Sequence, residues 1–286
     1  MHGLGEMSSR RSFALGKALS AAVAAVPGAW GGAGLSLVVL WAALAAWPLT
    51  FAHLPCCVAF VGGILVLWLL KVVALGGLYR TTFFGRAAAA EGRGPGGLQF
   101  GAGELRLLGA SVLIVLFMAV IVTAALVIFA VAFDFSGLAK GYGNSLAGWH
   151  AALMRHRTAT DWIFIVLPAL ALIFFIFLGV KLVLAPVATI AERRVVSLNA
   201  MGLSAGNAGK LFIGIVLLAL PFGIVAGLLP MHGDMMTHGH KVVSAHLHMK
   251  ILWHAVMAAL AVGGLLPLQT GFLTSAYRQI IDLRAK

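Results

Sequence analysis

Hydrophobic and polar positions alternate on a coarse scale along this chain. Six long apolar stretches, Gly34–His53, Cys56–Gly77, Leu107–Phe133, Trp162–Ala185, Leu211–Pro230 and Ile251–Ala276, are separated by short polar connectors. Each is about 20 residues or longer, the length a helix needs to cross roughly 30 Å of hydrocarbon. The pattern predicts an all-α, polytopic membrane bundle of six transmembrane helices. The expected organisation is a cytoplasmic N-terminal segment over 1–33, a six-helix domain over 34–276 and a cytoplasmic tail over 277–286. Within the first segment, Ser9–Val26 reads as an interfacial helix ended by Pro27-Gly28.

Composition supports this picture. The chain is 62% hydrophobic and 10% charged, with a mean hydropathy of +1.04. A soluble domain is about a quarter charged, so a soluble core is excluded. With six spans both termini share one side. That side collects thirteen of the twenty Lys and Arg residues, the other side five, and Lys71 and Lys181 fall inside spans. The asymmetry favours both termini in the cytoplasm, and the expected location is a bacterial inner membrane, crossed several times. The net charge of +12 is then a basic rim facing anionic headgroups, and it calls for membrane lipids rather than nucleic acid as partners. Trp47, Trp149, Trp162 and Trp253 fall at the expected outer interface. Adjacent Cys56 and Cys57 would bridge only with strain and read as small packing residues.

Short motifs recur. Lys71 precedes Tyr79-Arg80 as Gln269 precedes Tyr277-Arg278, and Glu192-Arg193-Arg194 follows Lys181 with a small offset. Gly97-Leu98-x-x-Gly101 leads to Arg106-Leu107, and Gly202-Leu203-x-x-Gly206 leads to Lys210-Leu211. These matches suggest three repeated hairpins, each entered through a cytoplasmic surface helix. Together with Ser12-Phe13-Ala14-Leu15-Gly16-Lys17-Ala18-Leu19 and the closing Ala276-Tyr277-Arg278-Gln279-Ile280, they make the chain similar to a bacterial six-span membrane domain. That domain is found alone or fused to membrane-anchored glycerophosphoryl diester phosphodiesterases. The resemblance implies a bundle architecture; the phosphodiesterase half is absent, so it implies no enzymatic activity.

Two groups of residues could carry function. The first is buried charge. Lys71 and Lys181 cost roughly 2.5–3.5 kcal/mol each inside a span unless they snorkel or meet an anion. The expected spans hold no Asp or Glu to neutralise them. Convergence of Lys71, Lys181 and Gln269 inside a ring of Arg80, Arg193 and Arg278 would make a site for a phosphate or carboxylate headgroup. The second is the last outer loop. His232, Met235, Met236, His238, His240, His246 and His248 lie there beside Asp234. Imidazole with thioether suits copper(I), and imidazole with carboxylate suits zinc or copper(II). The spacing is not that of a defined metal motif, and a merely His-rich surface loop accounts for it equally. His53, His150, His246 and His254 add a weaker haem alternative.

Other readings find less support. Ser9-Arg10-Arg11-Ser12-Phe13 has the form of a twin-arginine export signal, but the apolar region after it is weak. Gly92-Arg93-Gly94-Pro95-Gly96-Gly97 lacks the spacing of a phosphate-binding loop. No pair of acidic residues and no Ser-His-Asp order suggests hydrolysis within the spans. The leading expectation is a non-enzymatic protein that binds an anionic lipid or amphiphile, or serves as an accessory or scaffold subunit alongside other membrane proteins. The alternatives are a copper- or zinc-handling protein and a secondary transporter.

Overall fold

A computed structural model describes residues 12–50, 56–85, 95–135, 159–228 and 252–285 of the chain. The fold is all-α, with no strand among the described residues. The elements are α1 (Leu15–Thr50), α2 (Cys56–Phe84), a 3-10 turn (Pro95–Gly97), α3 (Ala102–Phe135) and α4 (Ala159–Leu182). Then come α5 (Ala185–Ala191), α6 (Ala200–Leu203), α7 (Ala208–Leu228), a π-helical segment (Leu260–Leu265) and α8 (Leu266–Arg284). Residues 252–259 are helical and run straight into the π segment, so Leu252–Arg284 acts as one span. Six helices are long and apolar enough to cross a membrane.

The first helix departs from expectation. It does not stop at Pro27-Gly28 but continues through them to a kink at Ala33 and on to Thr50. In lipid, a broken helix strands backbone groups that water cannot satisfy, and packing on both sides of Pro27 holds the helix together. The Ala14 N–H donates to Gln279 Oε1 (2.9 Å), Trp30 Nε1 to the Gly263 carbonyl (3.0 Å) and Trp41 Nε1 to the Ala255 carbonyl (2.9 Å). Between the first two contacts, Gly271 approaches Ala22 so closely that a Cβ would sit 3.0 Å from the Ala22 Cα. The four contacts place α1 antiparallel to the last span along its whole length. Close approach through small residues is how helices gain contact in lipid, where hydrophobic burial offers no drive.

The bend in α1 falls at Ala33 (φ −129°, ψ 17°). The Ser36 hydroxyl donates to the Ala33 carbonyl at 2.7 Å, a side-chain bond of the kind that bends helices. Gly97, in a left-handed conformation (φ 80°), presses on the same point, where a Cβ would come within 2.8 Å of the Ala33 Cα. Above the bend, α1 turns to α2, with Trp47 lying against Gly63.

Ahead of the third span the described residues hold the turn Pro95–Gly97, and ahead of the fifth a four-residue helix, α6. The two Gly-Leu-x-x-Gly copies also differ in backbone. The left-handed residue is the first glycine of one, Gly97, and the last of the other, Gly206 (φ 78°). Residues 277–284 form the final turns of α8, with Tyr277 and Ile280 buried.

Both ends of the described chain meet at one end of the bundle. The Phe13 N–H donates to Asn207 Oδ1 (3.3 Å), and Lys210 Nζ donates to Ser12 Oγ (2.7 Å) and the Phe13 carbonyl (3.0 Å). Arg284 Nη2 donates to the Gly202 carbonyl. Asn207 and Gln279 thereby supply acceptors to amides that a helix N-terminus leaves orphaned. The main core lies at this basic end, built by Phe13, Tyr79, Leu184, Leu211, Phe272 and Tyr277 among others. Towards the other end the helices are sparsely packed. The most apolar stretch of α3 has a mean hydropathy of 3.2, and none of it is buried.

Candidate functional site

The centre of the bundle holds a cleft made of two adjoining cavities. One, of about 450 Å³, lies between α2, α3, the α4–α5 junction and α8. The other, of about 730 Å³, lies between α1, α2 and the π segment with the start of α8. Trp68, Lys71, Val115, Leu266 and Gln269 border both. These volumes fall within the range of small-molecule sites, roughly 300–1,000 Å³. The walls are mostly Leu, Val, Ile and Trp.

Five side chains with polar groups besides the Trp68 indole interrupt this apolar lining. The Ser111 and Thr270 hydroxyls are satisfied locally, donating to the Leu108 and Pro267 carbonyls (2.8 and 2.9 Å). The other three are Lys71, Tyr79 and Gln269. Tyr79 is only 2% exposed, yet its hydroxyl makes no hydrogen bond among the described residues. Neither the Lys71 ammonium nor the Gln269 amide has a protein partner among them. Lys71 is exposed where the cleft opens. A buried polar group is nearly always bonded, so the Tyr79 hydroxyl, with the half-buried Gln269 amide and the exposed Lys71 ammonium beside it, marks the space as a place for a polar or charged group from outside the chain.

Of the residues expected to converge, Lys71 and Gln269 do so. Lys181 borders neither cavity, although its neighbours Gly179, Leu182 and Val183 border the first. Its ammonium sits 5.3 Å from the centre of the exposed Phe177 ring, a cation–π contact. The expected arginine ring is also divided. Arg278 is exposed; it donates to the Phe83 carbonyl at 2.6 Å and lies over the Phe83 ring, closing the C-terminal end of α2. Arg193 stands near Arg80, beside a separate small cavity.

Arg80 carries the largest surprise. It is 8% exposed and forms an ion pair with Glu104, which is 1% exposed. Arg80 Nη1 also donates to Gln99 Oε1 at 2.9 Å. The third span begins earlier than expected, at Ala102, so it does contain a carboxylate. The Gly101 N–H donates to Glu104 Oε2 (3.0 Å), half of a capping box in which the acidic residue three places into the helix reaches back to its start. Gly76 and Gly103 make the room. A Cβ on Gly76 would collide with the Glu104 carboxylate, and one on Gly103 would lie 2.8 Å from Arg80 Nη2. Sequence reading missed the pair because Arg80 and Glu104 are 24 positions apart. The available signal was local: Gly101-Ala102-Gly103-Glu104 has the form of a helix start.

The histidine–methionine loop, with His232, Met235, Met236, His238, His240, His246 and His248, lies outside the described residues. So do His53, His150 and the Ser9–Arg11 part of the twin-arginine pattern. Among the described residues, no three His, Cys, Asp or Glu side chains come together. No protein family, no curated protein and no solved structure matches this chain.

Proposed function

We propose that this protein is a non-enzymatic inner-membrane protein that binds an anionic lipid or amphiphile in its central cleft. One observation carries the reading: Lys71, Tyr79 and Gln269, without partners among the described residues, border an otherwise apolar space. The Lys71 ammonium selects for negative charge, since no Asp or Glu borders either cavity. The amide and phenol add directed hydrogen bonds to an oxyanion. The larger cavity, walled by residues such as Leu40, Leu44 and Ile64, suits an acyl chain. Positive charge at the end where the described termini meet sets that end towards the cytoplasm. The same occupancy would serve an accessory subunit that holds a lipid for a larger complex.

The test is lipid retention. Protein purified in mild detergent should carry about one acidic lipid or amphiphile per chain by native mass spectrometry. Lys71→Met with Gln269→Leu should lower that occupancy at least tenfold while the protein still inserts. Lys181→Met should leave it unchanged. Equal occupancy in the double variant and the parent would end the reading. Lys71 would then be a snorkelling residue, and the cleft merely loose packing.

A further inference from the structure

A third cavity, of about 200 Å³, lies at the basic end of the bundle. No residue borders both it and the central cleft. Three arginines from three segments surround it: Arg80 from α2, Arg106 from α3 and Arg193 from the turn after α5. We propose that this cavity binds a phosphate group.

Charge is the first argument. Glu104 answers Arg80 from behind and does not itself border the cavity. No carboxylate borders it, and Arg106 has no ion-pair or hydrogen-bond partner among the described residues. Collecting guanidinium groups around one small space costs free energy unless an anion joins them. Geometry is the second argument. Gln99 and Glu104 hold Arg80 in place and use only part of its five donors. The Thr189 hydroxyl donates to the Ala185 carbonyl (2.8 Å) and accepts from the Val196 N–H (3.1 Å), which pins the turn carrying Arg193. Arg193 itself is left-handed (φ 53°), a conformation a non-glycine residue holds only when its surroundings impose it. Planar guanidinium forks match phosphate oxygens in pairs. The opening turn of α3 adds Ala102 and Gly103, whose amides have no intrahelical acceptor. The volume is enough for a phosphate group.

A lipid headgroup and free phosphate share this chemistry, and one experiment separates them. Full-length protein carrying Lys71→Met, so that the central cleft does not contribute, is delipidated in detergent. It is then titrated calorimetrically with inorganic phosphate and, separately, with short-chain phosphatidylglycerol. We expect one binding event per chain for at least one of the two, weakened at least tenfold by Arg106→Gln with Arg193→Gln. Binding of phosphatidylglycerol assigns the site to a headgroup, and binding of phosphate alone assigns it to a soluble anion. Arg80 is left untouched because its ion pair is structural. Arg106→Lys keeps the charge and loses the fork, so it should weaken binding at unchanged thermal stability even if the double variant does not fold. The proposal fails if neither probe binds, or if the arginine variants bind as tightly as their parent. The Lys71→Met background makes that failure independent of the central cleft.

Discussion

The ends of α2 and α8 share a sequence pattern and use it differently. Lys71 and Gln269 each stand eight positions before a Tyr-Arg pair, and both border the central cleft. Tyr79 and Tyr277 are both buried. There the likeness stops. The Tyr277 hydroxyl donates to Glu192 Oε1 at 3.1 Å, whereas the Tyr79 hydroxyl borders the cleft with no partner among the described residues. Arg80 is buried against Glu104, and Arg278 is exposed over backbone carbonyls. The surroundings of each helix end decide the difference. Gln99 and Glu104 come to Arg80, while Arg278 closes the end of α2. The repeated motif thus brings Lys71 and Gln269 to one cleft and buries both tyrosines, and the surroundings of each helix end decide what its tyrosine and arginine do.

Substitutions at both ends test that contrast. The largest effect belongs to the buried pair. Glu104→Ala leaves Arg80 charged and buried, and should cost about 3–5 kcal/mol, read as unfolding in mixed micelles. A loss below about 1 kcal/mol would mean that Arg80 reaches solvent and that the two ends are alike. The tyrosines come next. Tyr277→Phe breaks a bond to a carboxylate and should cost about 1–2 kcal/mol. Tyr79→Phe should leave stability nearly unchanged and reduce the co-purified lipid. The reverse ranking would show that Tyr79, not Tyr277, is the structural residue. The smallest effect belongs to Arg278→Ala, which removes a charge at a helix C-terminus worth about 0.3–1 kcal/mol. A loss comparable to that of Glu104→Ala would erase the distinction between the paired and the capping arginine.

Much of the fold was legible because apolar length is a local signal that needs no knowledge of distant residues. Each span could be found from its own residues: Leu211–Pro230 begins three positions after the helix start at Ala208, and Cys56–Gly77 begins where α2 does but stops seven residues short of Phe84. Boundaries failed where tertiary contacts decide them. Nothing local to Pro27-Gly28 announces that Gly271 and Gly263 will hold the helix straight through it. The same holds for the site. Lys71 and Gln269 were visible as polar residues in apolar helices, and their shared spacing to Tyr-Arg tied them together. Lys181 has the same local character, yet it lies over Phe177, because its position around α4 depends on how that helix packs. Glu104 was invisible as a partner of Arg80, since a pairing between two helices leaves no periodic trace in either.

The π segment at Leu260–Leu265 sets the rotational phase of the last span. A π turn takes up one residue more than an α turn, and an α-helix rotates about 100° per residue. The faces of the span before and after the segment are therefore out of phase by about one residue. Ala255 and Gly263 meet the indoles of α1 on one setting, while Gln269 and Gly271 present themselves on the other. If the segment tightened to ordinary pitch, Gln269 would swing away from the cleft together with Gly271 and the rest of α8. The Trp30 indole, bonded to the Gly263 carbonyl within the segment, holds that angular offset. The polar character of the cleft is thus set by a single residue's worth of winding, several positions before the side chain that displays it.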